Sequence, residues 1–336
     1  MINIGINGFG RIGKSLLLQS LTIPNIKVCT INNPYFDIKT LTSYLLHDSC
    51  HKMSLRPRDI YHLNNNTVFI KGQKICIMNK LNKDLEGKKI WNPYTPNDIK
   101  YLIDTTGNVL TTDNAQMHNV PYFIMCAPPE DKTPQFIFNG NHEKYNGERI
   151  ISNSSSTTNA LVPLLKIFDE TVGVDKVNFI TVHSSTSSQN VTDNADIKSR
   201  IHRSIINNII PYKTGASIST EVIMPKLEGK VFGTSVRVPT NNVSMINVTV
   251  HFEMAINIYE MLSLLRPHNN NSIIINEDPY VVSSDFITTE IPTIIDLPLI
   301  VKISEYEYNF TIWYDNEWSY STQILKLIKH LEKINI

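Results

Sequence analysis

Cysteine is scarce in this chain of 336 residues: Cys29, Cys50, Cys76 and Cys126 stand 21, 26 and 50 residues apart. Such spacings contain no close pair to begin a zinc site, and a disulfide framework is not expected at this size without a secretion signal. Reduced thiols and no metal are therefore expected. Glycine is sparse at 13 residues, and alanine numbers 6 against 36 asparagines. Asn, Ile and Lys share A/T-rich codons, so genome bias is a sufficient account of this composition, and asparagine alone is a weak pointer to function. An excess of either charge is also absent, with 31 Lys plus Arg balancing 31 Asp plus Glu. That removes the simplest electrostatic case for nucleic acid or an anionic membrane as the main partner. No apolar run approaches the ~18 residues of a membrane span, and MINIGINGFG lacks the basic start and apolar stretch of a signal peptide. With 41% hydrophobic and 18% charged residues, a soluble, globular, cytoplasmic protein is expected. The length suggests two domains, since single cores rarely grow past roughly 250 residues.

The N-terminal part alternates short apolar runs with helical stretches. MINIGI and IKVCTIN read as strands, IGKSLLLQSL and KTLTSYLL as helices, VFIKG and KICIM as a hairpin, and YLIDTTG and YFIMCAPP as further strands. Strands alternating with helices predict a parallel sheet with helices on both faces. After about residue 155 the pattern changes. SSTTNALVPLLKIFDETVG reads as one long helix capped by Ser and Thr. KVNFITVHSST, SVRVPT, SMINVTVHFEM and LIVKISEYEYNFTIWYD read as Val/Ile/Thr/Tyr-rich strands of a mixed or antiparallel sheet, hence an α+β second domain. SYSTQILKLIKHLEKINI is an amphipathic helix, and the Asn run 269–271 a surface loop.

Gly8-Phe9-Gly10-Arg11-Ile12-Gly13 follows the first predicted strand and opens the first predicted helix. Gly8 and Gly10 permit a tight turn and close backbone approach to a pyrophosphate. Gly13 lets helix and strand pack closely, and the helix N-terminus attracts the phosphates. A second strand ends at Asn32-Asn33, where an acidic residue usually binds the adenosine ribose and repels a 2′-phosphate. Asn33 can still hydrogen-bond the ribose but removes the repulsion, so NAD is the expected cofactor and NADP stays open.

The chain resembles the glyceraldehyde-3-phosphate dehydrogenase family from end to end. The resemblance is carried by INGFGRIG at 6–13, INNP at 31–34, NHEKYN at 141–146, SNSSSTTN at 152–159, TVHSSTSSQ at 181–189, NIIPYKTGA at 208–216, RVPTNNVS at 237–244 and WYDNEWSYS at 313–321. It implies a Rossmann-type dinucleotide-binding domain over 1–155 with 316–336, and an α+β catalytic domain over 156–315. It implies NAD-dependent, phosphorylating oxidation of glyceraldehyde 3-phosphate with inorganic phosphate, in a cytoplasmic homotetramer. The family's mechanism uses a cysteine thiolate, activated by a histidine, to attack the aldehyde.

Residue by residue, the resemblance places cofactor contacts at Asn7, Gly8, Phe9, Gly10, Arg11, Ile12, Asn33, Thr106, Gly107, Cys126, Asn316 and Tyr320. The substrate's C3 phosphate falls to Thr186 and Arg237, and inorganic phosphate to Ser155, Thr157, Thr214 and Gly215. Arginine supplies a planar, permanently charged fork, and hydroxyls at a helix N-terminus suit an anion. His183 takes the position of the activating histidine. The nucleophile's position, aligned on its flanks, is occupied by Ser156. A hydroxyl is far harder to ionise than a thiol and needs a positioned base at the moment of attack. Three readings of Ser156 stand side by side: a laboratory substitution, a silenced natural member that keeps its cofactor, and a serine-dependent variant. Other departures are Cys126 for the usual Ser or Thr, Ala160 for a second cysteine, Leu81 where an arginine commonly meets the adenine ribose, and a slightly shortened intersubunit loop at 190–208. An erythrose-4-phosphate dehydrogenase is the rival within the class. A non-catalytic NAD- or sugar-phosphate-binding protein is the rival outside it, with nucleic acid disfavoured by the neutral charge.

Overall fold

The computed structural model describes residues 1–35, 37–52, 54–79, 82–83, 89–90, 99–195, 198–269 and 272–335. The chain divides into two compact units: Met1–Phe136, His142–Ser154 and Ile324–Ile336 form the first, Ile137–Asn141 and Ser155–Gln323 the second. Position 81 lies outside the described residues, as do 270 and 271 of the asparagine run.

The first unit begins with β1 (Ile2–Asn7), α1 (Arg11–Ser20), β2 (Ile26–Asn32) and α2 (Ile38–Leu46). There follow β3 (Ile60–Asn64), β4 (Thr67–Ile70), β5 (Gln73–Met78) and the short pair β6 (Asn82–Lys83) and β7 (Lys89–Ile90). It is completed by β8 (Tyr101–Asp104), α3 (Thr112–Gln116), β9 (Tyr122–Met125) and β10 (Ile150–Ser152). One sheet runs in the order β10-β9-β8-β1-β2-β5-β4-β3. It is parallel from β10 to β5 and antiparallel across β5-β4-β3. The predicted hairpin is β4-β5, and β3 extends it. That edge strand carries His62 and Asn64 with no buried face, so its pattern does not read as a strand. By contrast β1 and β8 are mostly apolar and almost wholly buried, as central parallel strands are. The C-terminal end of the chain returns to this unit: Tyr101 Oη donates to Glu332 at 3.0 Å, Lys100 pairs with Glu332 at 2.8 Å, and Tyr145 Oη meets Asn335 at 3.1 Å.

The second unit comprises α4 (Ser156–Asp169), β11 (Val174–Ser184), β12 (Ile210–Tyr212), α5 (Ala216–Ile223), β13 (Val231–Val238), β14 (Ser244–Phe252), α6 (Ile258–Leu265), β15 (Ile273–Asn276), β16 (Thr293–Asp296), β17 (Val301–Lys302), β18 (Glu307–Tyr314) and the start of α7 (Trp318–Ile334). Its sheet runs β12-β13-β11-β14-β18-β16-β15, with β17 on β18. Most pairs are antiparallel, while β11-β13 and β15-β16 are parallel. β14 alternates strictly between buried and half-buried residues, putting Ile246, Val248, Val250 and Phe252 against Phe168 of α4 and Phe310. The segment LIVKISEYEYNFTIWYD, read from sequence as one strand, is instead a hairpin. The Ser304 hydroxyl accepts from the Tyr306 N–H at 3.1 Å and turns the chain between β17 and β18.

Candidate functional site

In the first unit, the turn after β1 is shaped for a dinucleotide. Gly8 adopts φ +95°, a conformation that favours glycine. A Cβ at Gly13 would stand 2.3 Å from the Gly8 carbonyl oxygen, whereas a Cβ at Gly10 would meet nothing within 4 Å. Gly10 is the N-cap of α1, with no side chain capping the helix. An uncapped helix N-terminus facing open space beside a glycine turn is what a pyrophosphate needs, so these residues fit NAD. Phe9 is buried and packs edge-on against Tyr44 at 5.9 Å, so its ring is core. The Arg11 guanidinium is committed to Asp48 Oδ2 at 2.6 Å and His51 Nδ1 at 3.0 Å, so Arg11, like Ile12, offers its backbone at the turn. Burial pushes the Asp48 carboxyl up, but hydrogen bonds from Arg11, Lys14 and the N–H groups of His51 and Cys50 outweigh that and hold it far below the usual range.

Asn33 follows β2, and its Oδ1 accepts from the Tyr35 N–H at 3.1 Å. Thr106 and Gly107 follow β8, Gly107 at φ +68° with open space where a Cβ would sit. Cys126 follows β9, its N–H bonded to the Asp104 carbonyl at 2.9 Å. Burial, and then the charge of Asp104, push its thiol well up, which makes it a poor nucleophile.

Ser154, the last residue of the first unit's 142–154 segment, stands at φ +58°, and the second unit resumes at Ser155 with α4. Ser155 is the helix N-cap, its Oγ accepting from the Thr158 N–H at 3.0 Å, and Ser156 is the first helical residue. The Thr157 hydroxyl meets the Tyr314 hydroxyl at 2.9 Å, and Tyr314 meets Thr181 Oγ1 at 2.9 Å. His183 lies two residues along the same strand, its ring edge-on to Tyr314 with centroids 6.1 Å apart. β11 and β13 pair in parallel with His183 opposite Arg237, so two residues distant in sequence become cross-strand neighbours. Arg237 Nη1 donates to His183 Nδ1 at 2.5 Å and to the Ser184 carbonyl at 3.1 Å. Burial and then the Arg237 charge pull His183 down to about 3, so the imidazole is neutral. Burial also lowers the Arg237 guanidinium and raises the Tyr314 phenol.

Asn316 precedes α7 and is buried. Ser184 and Ser244 hydroxyls both donate to its Oδ1, at 2.9 and 2.8 Å, which fixes the orientation of its amide. Asp315 secures the position by accepting from the Glu317 and Trp318 N–H groups and from Asn242. Val243, just before Ser244, stands at φ +63°, a strained conformation for a β-branched residue. Thr186 is exposed and binds Gln189 Oε1 through N–H and hydroxyl. Thr214 Oγ1 accepts from the Ala216 N–H at 3.2 Å, and Gly215 is the uncapped N-cap of α5. Tyr320 is buried in α7. In the loop after β11, Arg203 pairs with Asp193 at 3.0 Å.

Sequence reasoning assigned no role to Tyr314, Ser184, Ser244 or Asp104, although all lie in stretches it had singled out. Their partners are 60 to 157 residues away for Tyr314, Ser184 and Ser244, and 97 residues away for the Asp104–Asn7 pair, so no local pattern reports them. Among the described residues, no group of three or more His, Cys, Asp or Glu side chains could hold a metal ion.

The family described as glyceraldehyde 3-phosphate dehydrogenase, NAD binding domain, matches residues 2–112, and its C-terminal domain matches 155–316. A glyceraldehyde-3-phosphate dehydrogenase of Buchnera aphidicola is 35% identical over 335 residues, covering 98% of each chain. One from Kluyveromyces marxianus is 32% identical over 98% of this chain and 100% of its own. The cytosolic enzyme of Chlamydomonas reinhardtii is 33% identical over 99% of this chain and 97% of its own. With both halves of the chain matched and relatives aligned along nearly its full length, this chain belongs to the glyceraldehyde-3-phosphate dehydrogenase family of NAD-dependent oxidoreductases.

Proposed function

We propose that the chain carries out, at a severely reduced rate, the glycolytic reaction that oxidises glyceraldehyde 3-phosphate and adds inorganic phosphate to give 1,3-bisphosphoglycerate. The observation that supports this reading is the chain of contacts in which Tyr314 joins Thr157, in the first turn of the helix that begins at Ser156, to Thr181 and stands edge-on to His183, which in turn meets Arg237. NAD, when bound, supplies the hydride acceptor. By the family resemblance, Asn7 to Ile12, Asn33, Thr106, Gly107 and Cys126 are the residues of the first unit that would hold it, and Asn316 and Tyr320 are the residues of the second assigned to its nicotinamide end. Arg237 and Thr186 hold the C3 phosphate, while Ser155, Thr157, Thr214 and Gly215 offer hydroxyl and N–H groups to inorganic phosphate. Ser156 stands where the family's nucleophilic cysteine belongs.

The reduction in rate has a physical cause. A serine hydroxyl must give up its proton as it attacks, and a base near 3 drives that transfer poorly. A thiol at a helix N-terminus ionises without such help. The test is NADH formation from glyceraldehyde 3-phosphate and phosphate, comparing this chain with Ser156→Cys at equal concentration. The cysteine form is expected to be faster by on the order of 10⁴-fold or more. Running the same pair on erythrose 4-phosphate decides the preferred aldehyde.

The weak basicity of His183 favours one second reading, a silent member that still binds NAD and sugar phosphate. That reading prevails if both forms are inert while NAD still binds. A homotetramer in the cytoplasm completes the proposal.

A further inference from the structure

Asp104 has no part in the reading above, yet it is a fully buried carboxylate of the first unit with hydrogen bonds to both of its oxygens. It ends β8 and is 1% exposed. Its Oδ1 accepts from Asn7 Nδ2 at 2.8 Å, and the Thr106 hydroxyl donates to both of its oxygens, at 3.0 and 2.9 Å. Asn7 Oδ1 accepts in turn from Asn32 Nδ2 at 2.9 Å. Asn7, Asn32 and Asp104 are the last residues of three adjacent strands, so one carboxylate ties together the ends of β1, β2 and β8. Two further bonds close the same knot: Thr105 Oγ1 donates to the Gly8 carbonyl at 2.8 Å, and the Gly8 N–H to the Asn32 carbonyl at 2.8 Å. The loop lies tight on the turn, since a Cβ at Gly8 would stand 2.9 Å from Thr105 Oγ1 and 3.0 Å from the Thr106 nitrogen.

A carboxylate only accepts, so it dictates how its partners point. Asn7 must present its nitrogen to Asp104 and its oxygen to Asn32, and Thr106 must aim its proton inward while accepting from the Asn108 N–H at 3.0 Å. Neutral donors alone face the group. From β1 this is Asn7 and from its own loop Thr106, through hydroxyl and N–H; Asn32 of β2 is bonded to Asn7 rather than to the carboxylate, and the Cys126 thiol at the end of β9 feels its charge. No cation pairs with it among the described residues. Burying an unpaired carboxylate is costly, and asparagine at position 104 would avoid that cost.

We propose that Asp104 is a positioning residue of the dinucleotide site, locking the turn that begins at Gly8 onto the Thr105–Gly107 loop so that both surfaces hold their NAD-ready geometry before the cofactor arrives. This rests on the reading of the turn as the NAD site. Burial raises the carboxyl to about 7 against the hydrogen bonds from Thr106 and Asn7. Protonation turns one acceptor oxygen into a donor and disturbs the lock, so NAD affinity falls as pH drops through neutrality.

The test is calorimetric titration of NAD into the wild type, Asp104→Asn, Thr106→Val and the double variant, beside thermal melts of each without NAD. Asp104→Asn and Thr106→Val are each expected to weaken binding roughly tenfold, and the double variant no further than the weaker single, as for residues acting as one unit. Thr106→Ser, which keeps the hydroxyl, restores affinity. Wild-type affinity in a folded Asp104→Asn, or effects that multiply in the double variant, would overturn the proposal. If Asp104→Asn does not fold, the pH series decides. Wild-type affinity must fall between pH 8 and 6 and that step must vanish in Thr106→Val, so a flat wild-type profile overturns it. Wild type that binds no NAD would sink the cofactor reading itself, a result distinct from either failure.

Discussion

On the proposed reading, residues 33 and 156 both carry a neutral group where the family has an ionisable one. At Asn33 the amide oxygen is held by the Tyr35 N–H, and the side chain carries no charge against a 2′-phosphate. Asn33→Asp would place a carboxylate there, and like charges in close contact repel strongly. The variant is expected to bind NADP about tenfold more weakly relative to NAD than the parent does, read as the ratio of the two dissociation constants. Ser156 is the other case, where the rate of NADH formation in Ser156→Cys reports whether one atom separates this site from turnover.

At the scale of elements, the geometry of α1 against β1 separates two glycines that look alike in sequence. Gly13→Ala drives a Cβ to 2.3 Å from the Gly8 oxygen and must push the helix off the strand. A loss of about 1–3 kcal/mol in urea unfolding is expected. Gly10→Ala meets open space and should leave that midpoint unchanged while weakening NAD, because the methyl occupies the phosphate's approach. In the second unit Tyr314 joins α4 to β11 through two buried hydroxyl contacts. Tyr314→Phe removes both and leaves Thr157 and Thr181 facing each other. The expected cost is about 1–3 kcal/mol, read as a lower urea midpoint at an unchanged slope.

For the molecule as a whole, buried histidines set the acid limit. His118 is fully buried against Phe123, and burial lowers it from 6.5 to about 4, while His183 falls from 6.5 to about 3. A base with a depressed folded pKa stays neutral in the fold but takes up a proton on unfolding below pH 6.5. Its stabilisation is therefore present above that pH and lost as pH falls toward the folded value. Asp104 opposes this, since its raised pKa gives stability that is lost as pH rises from 3.8 toward 7. Two protons against one leave a net loss on acidification between pH 6.5 and 4. His118→Phe should flatten the slope over that window, measured as the pH dependence of the urea midpoint. Assembly is the other property at this scale. Val191, Ile206, Ile209 and Phe232 are exposed on the single chain, and if the proposed homotetramer is right, sedimentation is expected to give a particle of four chains.

Periodicity made most of the fold legible: the buried central strands, the leucine-bearing α1, and the alternation of β14 are local patterns created by burial on one or two faces. The strand β3 and the break between β17 and β18 were not legible, because an exposed edge carries no apolar period and a serine-closed turn hides within a β-rich run. A motif at fixed spacing made the glycine turn legible, while Ser156 and His183 were singled out by their places in stretches that resemble the family's. Pairing was decided only by the folded chain. His183 meets Arg237 through the register of two strands, Thr157 and Thr181 meet on Tyr314, and Asp104 gathers Asn7 and Thr106 at the end of a sheet. Hydrogen bonds and charge effects act over a few ångströms, and which groups come that close is set by strand order and register rather than by distance along the chain.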